Sequence, residues 1–157
     1  MNETSTFLKN SILHRDLKLG NCGFDACGQF KLFDFGLATI LTQEKRIASN
    51  QYKLSGLTGT CRYMSPEVFR CRPYGRPSDV YSFSLILWEI MSLKDVFIEE
   101  TKASISLNVH GKKNKRPVIK SNWPPMFQQL LQEGWSADPS IRPSFDQIQS
   151  MLQQSQL

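Results

Sequence analysis

The run His14-Arg15-Asp16-Leu17-Lys18-Leu19-Gly20-Asn21, followed by Asp34-Phe35-Gly36, restricts the fold more than any other stretch of the chain. Asp16 and Asp34 stand 18 positions apart. Between them lie two short apolar runs, Cys22-Gly23-Phe24 and Phe30-Lys31-Leu32-Phe33, separated by the polar Asp25-Ala26-Cys27-Gly28-Gln29. Two such runs about a polar turn predict a β-hairpin, and one hairpin suffices to fold the two carboxylates beside each other.

The residue types gathered there suit phosphoryl transfer. An acceptor hydroxyl must be oriented and lose its proton, while the phosphate oxygens are neutralised by metal and cation. Asp16 is placed to accept the proton, and Lys18, two residues on, can reach the transferring phosphate. Asn21 and Asp34 offer the hard oxygen donors that magnesium prefers.

From residue 12 to residue 152 the chain resembles the protein kinases, of the serine/threonine type that Lys18 indicates. Further motifs carry the likeness. Gly59-Thr60-Cys61-Arg62-Tyr63-Met64-Ser65-Pro66-Glu67 resembles the end of an activation segment, with Ser65 where Ala is usual. Asp79-Val80-Tyr81-Ser82-Phe83 resembles the start of the central helix, with Ser84 where Gly is common, and Arg142 lies in Asp138-Pro139-Ser140-Ile141-Arg142-Pro143. The resemblance implies that Asp16 and Lys18 are catalytic and that Asn21 and Asp34 hold magnesium. It assigns Arg15, Thr60 and Tyr63 to the activation segment and substrate, with Thr60 bonded to Asp16 and Lys18. His14, Phe35, Gly36, Glu67, Asp79 and Arg142 become structural support: Glu67 pairs with Arg142, and Asp79 holds the catalytic loop. Arg15 is the residue on which a phosphate at Thr42, Ser49, Ser55 or Thr58 would dock. Leu19-Gly20 replaces the common Pro-Glu, which argues against a preference for basic substrates.

The fold expected is mainly α, a protein-kinase-like C-lobe with a small β-hairpin and the N-lobe absent. Residues 1–157 then form a partial kinase domain: catalytic loop 14–21, activation segment 34–67 and helical subdomain 78–152. No GxGxxG occurs, and Val118-Ile119-Lys120, a faint echo of the strand that carries the ATP-pairing lysine, lies far C-terminal to Asp34. ATP and Mg2+ are the implied cofactors. Weak or absent binding is expected in such a fragment, because each missing charge-assisted hydrogen bond to phosphate is worth about 1.5–3 kcal/mol. The implied partners are a protein substrate with Ser or Thr and an N-lobe or regulatory protein. The alternative is a C-lobe-only binding or scaffold protein without catalysis.

The net charge of +5 raises the question of nucleic acid, but its densest basic run, Lys112-Lys113-Asn114-Lys115-Arg116, has no interleaved aromatics. A solvated loop is expected there, and no nucleic-acid partner. No apolar run approaches the ~18 residues of a membrane span, so no membrane contact is expected. Cys22, Cys27, Cys61 and Cys71 lack CxxC spacing, which predicts free, buried or half-buried thiols and an intracellular, cytoplasmic setting, with the nucleus open. Residues 7–13 read as the end of a helix, and the polar residues 37–59 as a long loop. Ser78 is the expected N-cap of a helix over residues 80–91, apolar on nearly every face except at Glu89. Further helices are expected over 99–109 and 124–133, the latter ending near Gly134. Ser144 and Gln147 form a capping box ahead of Ile148, Met151 and Leu152.

Overall fold

A computed structural model describes residues 12–154. Strand β1 (Ile12–Leu13) pairs antiparallel with β4 (Thr39–Ile40), Ile12 opposite Ile40. The expected hairpin forms from β2 (Cys22–Phe24) and β3 (Phe30–Leu32), with Cys22 opposite Leu32. Its turn is closed by Asp25, whose Oδ1 accepts from the amides of Cys27 and Gln29 at 2.9 Å each. Gly28 supplies the positive φ of 74° that the turn requires. A third ribbon joins β5 (Arg46–Ala48) to β6 (Gln51–Tyr52), and Tyr52 bridges to Tyr74.

Two expectations change here. Residues 37–59 are not an unstructured loop: they hold β4, a 3-10 turn at Gln43–Lys45, and the β5–β6 ribbon. The helix end proposed over residues 7–13 lies partly outside the described residues, and Ile12 and Leu13 are strand, because β4 offers them a ladder.

The helices are α1 (Pro66–Phe69), α2 (Pro77–Ser92), α3 (Lys102–Ser104), α4 (Pro125–Gly134) and α5 (Phe145–Gln154). Helix α2 begins one residue before Ser78, at a proline in the first turn, so Ser78 is not its cap. The Ser78 hydroxyl instead donates to the Gly75 carbonyl at 2.8 Å. The helix expected over 99–109 is broken: Thr101 caps α3 through the Ser104 amide, and the chain then widens into a π-helical turn over Ile105–Val109. The capping box forms as expected, with Gln147 Oε1 accepting from the Ser144 amide (2.7 Å) and Ser144 Oγ from the Gln147 amide (3.2 Å). No described helix is long and apolar enough to cross a membrane.

Helix α2 is the hub. Val80, Tyr81, Ser84 and Leu85 are at most 1% exposed, in keeping with a stretch apolar on nearly all faces. Leu131 and Trp135 pack on Tyr81 and Leu85, while Leu130 and Ile148 pack on Val80. A second cluster joins Leu13 and Leu41 to Met64, Val68 and Tyr74. Glu67 and Arg142 pair bidentately at 2.7 and 2.9 Å, and Arg142 also donates to the carbonyls of Pro77 and Ser136. That pair clamps α1 to the start of α2. The four cysteines are free, as expected, but Cys27 and Cys71 are exposed rather than buried. The basic run is solvated through Lys115, whereas Arg116 turns inward to donate to the Trp135 and Val109 carbonyls.

The departure at Ser84 has a local counterpart. Its hydroxyl donates to the Val80 carbonyl at 2.9 Å, and a Cβ at Gly134 would collide with that same oxygen. Gly134→Ala is therefore expected to cost about 1–3 kcal/mol through overpacking. Ser84→Gly in the same chain should recover part of that loss, and denaturant unfolding of the four chains of the cycle measures the coupling.

His110 is 2% exposed, its ring is stacked on Phe69 at 4.3 Å, and neither ring nitrogen makes a hydrogen bond of good geometry among the described residues. Burial, above all, pushes its pKa down to about 4. The folded chain keeps this imidazole neutral while the unfolded chain protonates it near pH 6.5, so the unfolded state binds more protons in between. Stability is complete above about pH 6.5 and should fall by on the order of 2 kcal/mol as pH drops to about 4. Thermal melting across that window should show the decline, and His110→Phe should flatten it between pH 6.5 and 4.5.

Candidate active site

The backbone of the loop at residues 14–21 is held by α2. Asp79, in the first turn of that helix, accepts the amides of His14 (2.7 Å) and Arg15 (3.0 Å) through its two oxygens. Arg15 takes a left-handed φ of 69°, which turns the chain sharply before Asp16. Burial raises the Asp79 pKa, and the two amides pull it back.

Asp16 collects its partners from three elements. Its Oδ1 accepts the Thr60 amide at 2.7 Å, and its Oδ2 accepts Lys18 Nζ at 3.0 Å. Lys18 also donates to Thr60 Oγ1 at 3.2 Å, so the contacts expected of Thr60 both form. Asn21 Nδ2 donates to the Asp16 carbonyl at 2.9 Å. Burial pushes the Asp16 pKa up, but the hydrogen bonds from Thr60 and Lys18 outweigh it and hold the carboxyl below its ordinary range. At neutral pH Asp16 is therefore an ionised, oriented acceptor.

Asp34 reaches the same neighbourhood through backbone ties on either side of the hairpin. Phe33 donates its amide to the Asn21 carbonyl at 2.8 Å, and its own carbonyl faces His14 Nε2 at 3.1 Å. The His14 ring meets the edge of Phe35 at 4.9 Å, and Phe35 is otherwise exposed. Asp34 itself adopts φ 58°, is exposed, and accepts the Gly36 amide at 3.4 Å. Asn21 and Asp34 carry the amide and carboxylate oxygens that magnesium prefers, and the tie from the Phe33 amide to the Asn21 carbonyl sets residue 34 close along the chain to Asn21. No cluster of three or more His, Cys, Asp or Glu able to hold a metal occurs among the described residues.

The Arg15 side chain points away from Asp16. Its guanidinium donates to the Leu37 carbonyl (2.6 Å), Ser55 Oγ (2.9 Å) and the Tyr74 hydroxyl (3.4 Å). Of the four hydroxyls considered for phosphate, Ser55 is the one in contact, and Thr58 lies 3.0 Å from it, oxygen to oxygen. Tyr63 is half-buried, and its hydroxyl donates to the Glu89 carboxylate at 2.8 and 2.9 Å. Burial and that carboxylate raise the phenol's pKa far above its ordinary value. Glu89 also accepts the Val96 amide at 2.8 Å. Neither Glu89 nor Tyr74 was among the sequence candidates; a lone acid in an otherwise apolar helix was the signal for Glu89.

Gly59 is where the two segments touch. Its φ is 102°, and a Cβ there would run into the Arg15 carbonyl. Gly59→Ala should push Thr60 off Asp16. NMR titration should then show the Asp16 pKa returning toward its ordinary value, and the Thr60 amide should exchange about tenfold faster.

Known proteins resemble this chain over most of its length. The family model of the protein kinase domain matches residues 5–154. The serine/threonine-protein kinase STY17 of Arabidopsis thaliana is 34% identical over 146 residues, 93% of this chain and 24% of the relative. The dual specificity protein kinase shkA of Dictyostelium discoideum is 35% identical over 142 residues, covering 90% of this chain and 26% of the relative. The serine/threonine/tyrosine-protein kinase HT1 of Arabidopsis thaliana is 34% identical over 142 residues, again 90% of this chain but 34% of the relative. The chain thus spans about a quarter to a third of the length of these relatives. A matching domain over nearly all its residues, and a base, ammonium and amide gathered as described, make this chain a member of the protein kinase domain family.

Proposed function

We propose that this chain is the acceptor-side and metal-holding part, a C-lobe, of a serine/threonine protein kinase domain. Its catalytic loop spans 14–21, its activation segment 34–67 and its helical subdomain 78–152. The activity is transfer of the γ-phosphate of ATP to Ser or Thr of a protein substrate. The convergence of the Thr60 amide and the Lys18 ammonium on the buried Asp16 carboxylate carries this reading.

Asp16 accepts a hydrogen bond from the incoming hydroxyl and takes its proton as the oxygen attacks phosphorus. Lys18, held between Asp16 and Thr60, presents its charge to the transferring group. Asn21 and Asp34 would hold magnesium, which when bound neutralises charge on the phosphate oxygens. Thr60 fixes the floor on which the substrate segment lies, and Tyr63, tied to Glu89, braces it.

The 157 residues contain no glycine-rich loop and no identifiable lysine–glutamate pair for the nucleotide. Further polypeptide, contiguous or a separate partner, completes the nucleotide pocket in this proposal, and the chain alone binds MgATP weakly. Ser55 is the favoured phosphate site in the activation segment, because the Arg15 guanidinium already holds its hydroxyl.

In a preparation that supplies the nucleotide side, Asp16→Asn should lower kcat for phosphate transfer about 10²–10⁴-fold. The thermal midpoint should move little. Transfer at the wild-type rate by that variant would overturn the catalytic reading in favour of a binding or scaffold protein.

A further inference from the structure

Ser65 stands where the kinase resemblance expects alanine, and phosphoryl transfer gives its hydroxyl no task. The residue is 1% exposed, and its Oγ has no hydrogen-bond partner among the described residues. A buried hydroxyl in that condition is rare and calls for a bound molecule or ion.

Ser65 lines a void of about 10 Å³ together with the polar Arg15, Thr58, Tyr74, Asp79 and Ser82 and the apolar Met64 and Val68. That is room for about one water molecule, and the walls are polar enough to hold it. Neighbouring hydroxyls are engaged elsewhere. Ser82 Oγ donates to the Tyr63 carbonyl at 2.8 Å, Thr58 Oγ1 to the Ser55 carbonyl at 3.0 Å, and Tyr74 to the Ser55 carbonyl at 2.7 Å. Asp79 has two amide donors on a carboxylate that can accept about four hydrogen bonds, so it has capacity for another.

We infer that this void is a binding site for one ordered water, held by Ser65 Oγ and the Asp79 carboxylate. The water bridges the end of the activation segment to the group that anchors the catalytic loop. Ser65 is then a positioning residue: through the water and Asp79 it steadies the His14 and Arg15 amides. An alanine at this place could not hold the bridge. The inference needs neither ATP nor transfer activity, so it stands or falls apart from the proposed reaction.

A crystal structure of the wild-type chain, or of a longer protein that carries it, at a resolution that shows waters is the first test. One water within hydrogen-bond distance of Ser65 Oγ and of an Asp79 oxygen is expected. An empty void, or Ser65 Oγ bonded directly to protein, would overturn the inference without recourse to any variant. The second test is amide hydrogen exchange in Ser65→Ala. The His14 and Arg15 amides should exchange about tenfold faster, the loss of roughly one hydrogen bond, with α5 unchanged. Unchanged rates at His14 and Arg15, or equal acceleration in α5, would refute a local bridge.

Discussion

The carboxylate of Asp79 is the constraint on which the rest of the site depends. It is buried in the first turn of α2, and its oxygens hold the successive amides of His14 and Arg15. A charge removed from water is stable only when its partners are fixed, so the helix bearing it must be rigid. That requirement is met by a helix buried along most of its length and clamped at its start by Arg142, which ties the Pro77 carbonyl to Glu67. The path from packing to chemistry is short: α2 fixes Asp79, Asp79 fixes the turn at Arg15, and that turn aims Asp16.

The turn at Arg15 also separates two tasks given to consecutive residues. Asp16 faces Lys18 and Thr60, while Arg15 faces Leu37, Ser55 and Tyr74. Leu37 and Ser55 on one side and Thr60 on the other are thereby contacted by one short loop. Gly59 permits the closest approach of the two, since any side chain there would meet the loop's own carbonyl. The contacts to Ser55 and to Thr60 are made by neighbouring residues of that loop, Arg15 and Asp16.

Features fixed by local chemistry were legible in the sequence. The hairpin needed only two apolar runs and a polar turn, and the Ser144–Gln147 cap needed only its own spacing. The contacts of Thr60 with Asp16 and Lys18 were implied by the resemblance to the kinases rather than by the residues themselves. What failed depended on distant partners. Ile12 and Leu13 became strand because residues 39–40 lie alongside, and the helix starts at Pro77 with Arg76, not Ser78, in the capping position. The π-helical turn over Ile105–Val109 has no periodicity to announce it. Arg116 looked like one more solvated cation until the carbonyls of Trp135 and Val109 drew it in.

Arg15 and Asp34 share a property that side-chain chemistry does not reveal: both are non-glycine residues in left-handed backbone. Asparagine and aspartate tolerate that conformation far better than most residues, and β-branched residues tolerate it least. Replacement of Asp34 by asparagine isolates the charge, whereas valine or threonine at the same position perturbs the peptide plane as well. An alanine at position 34 would mix conformational cost with lost function, and its result would exaggerate the chemical importance of the carboxylate.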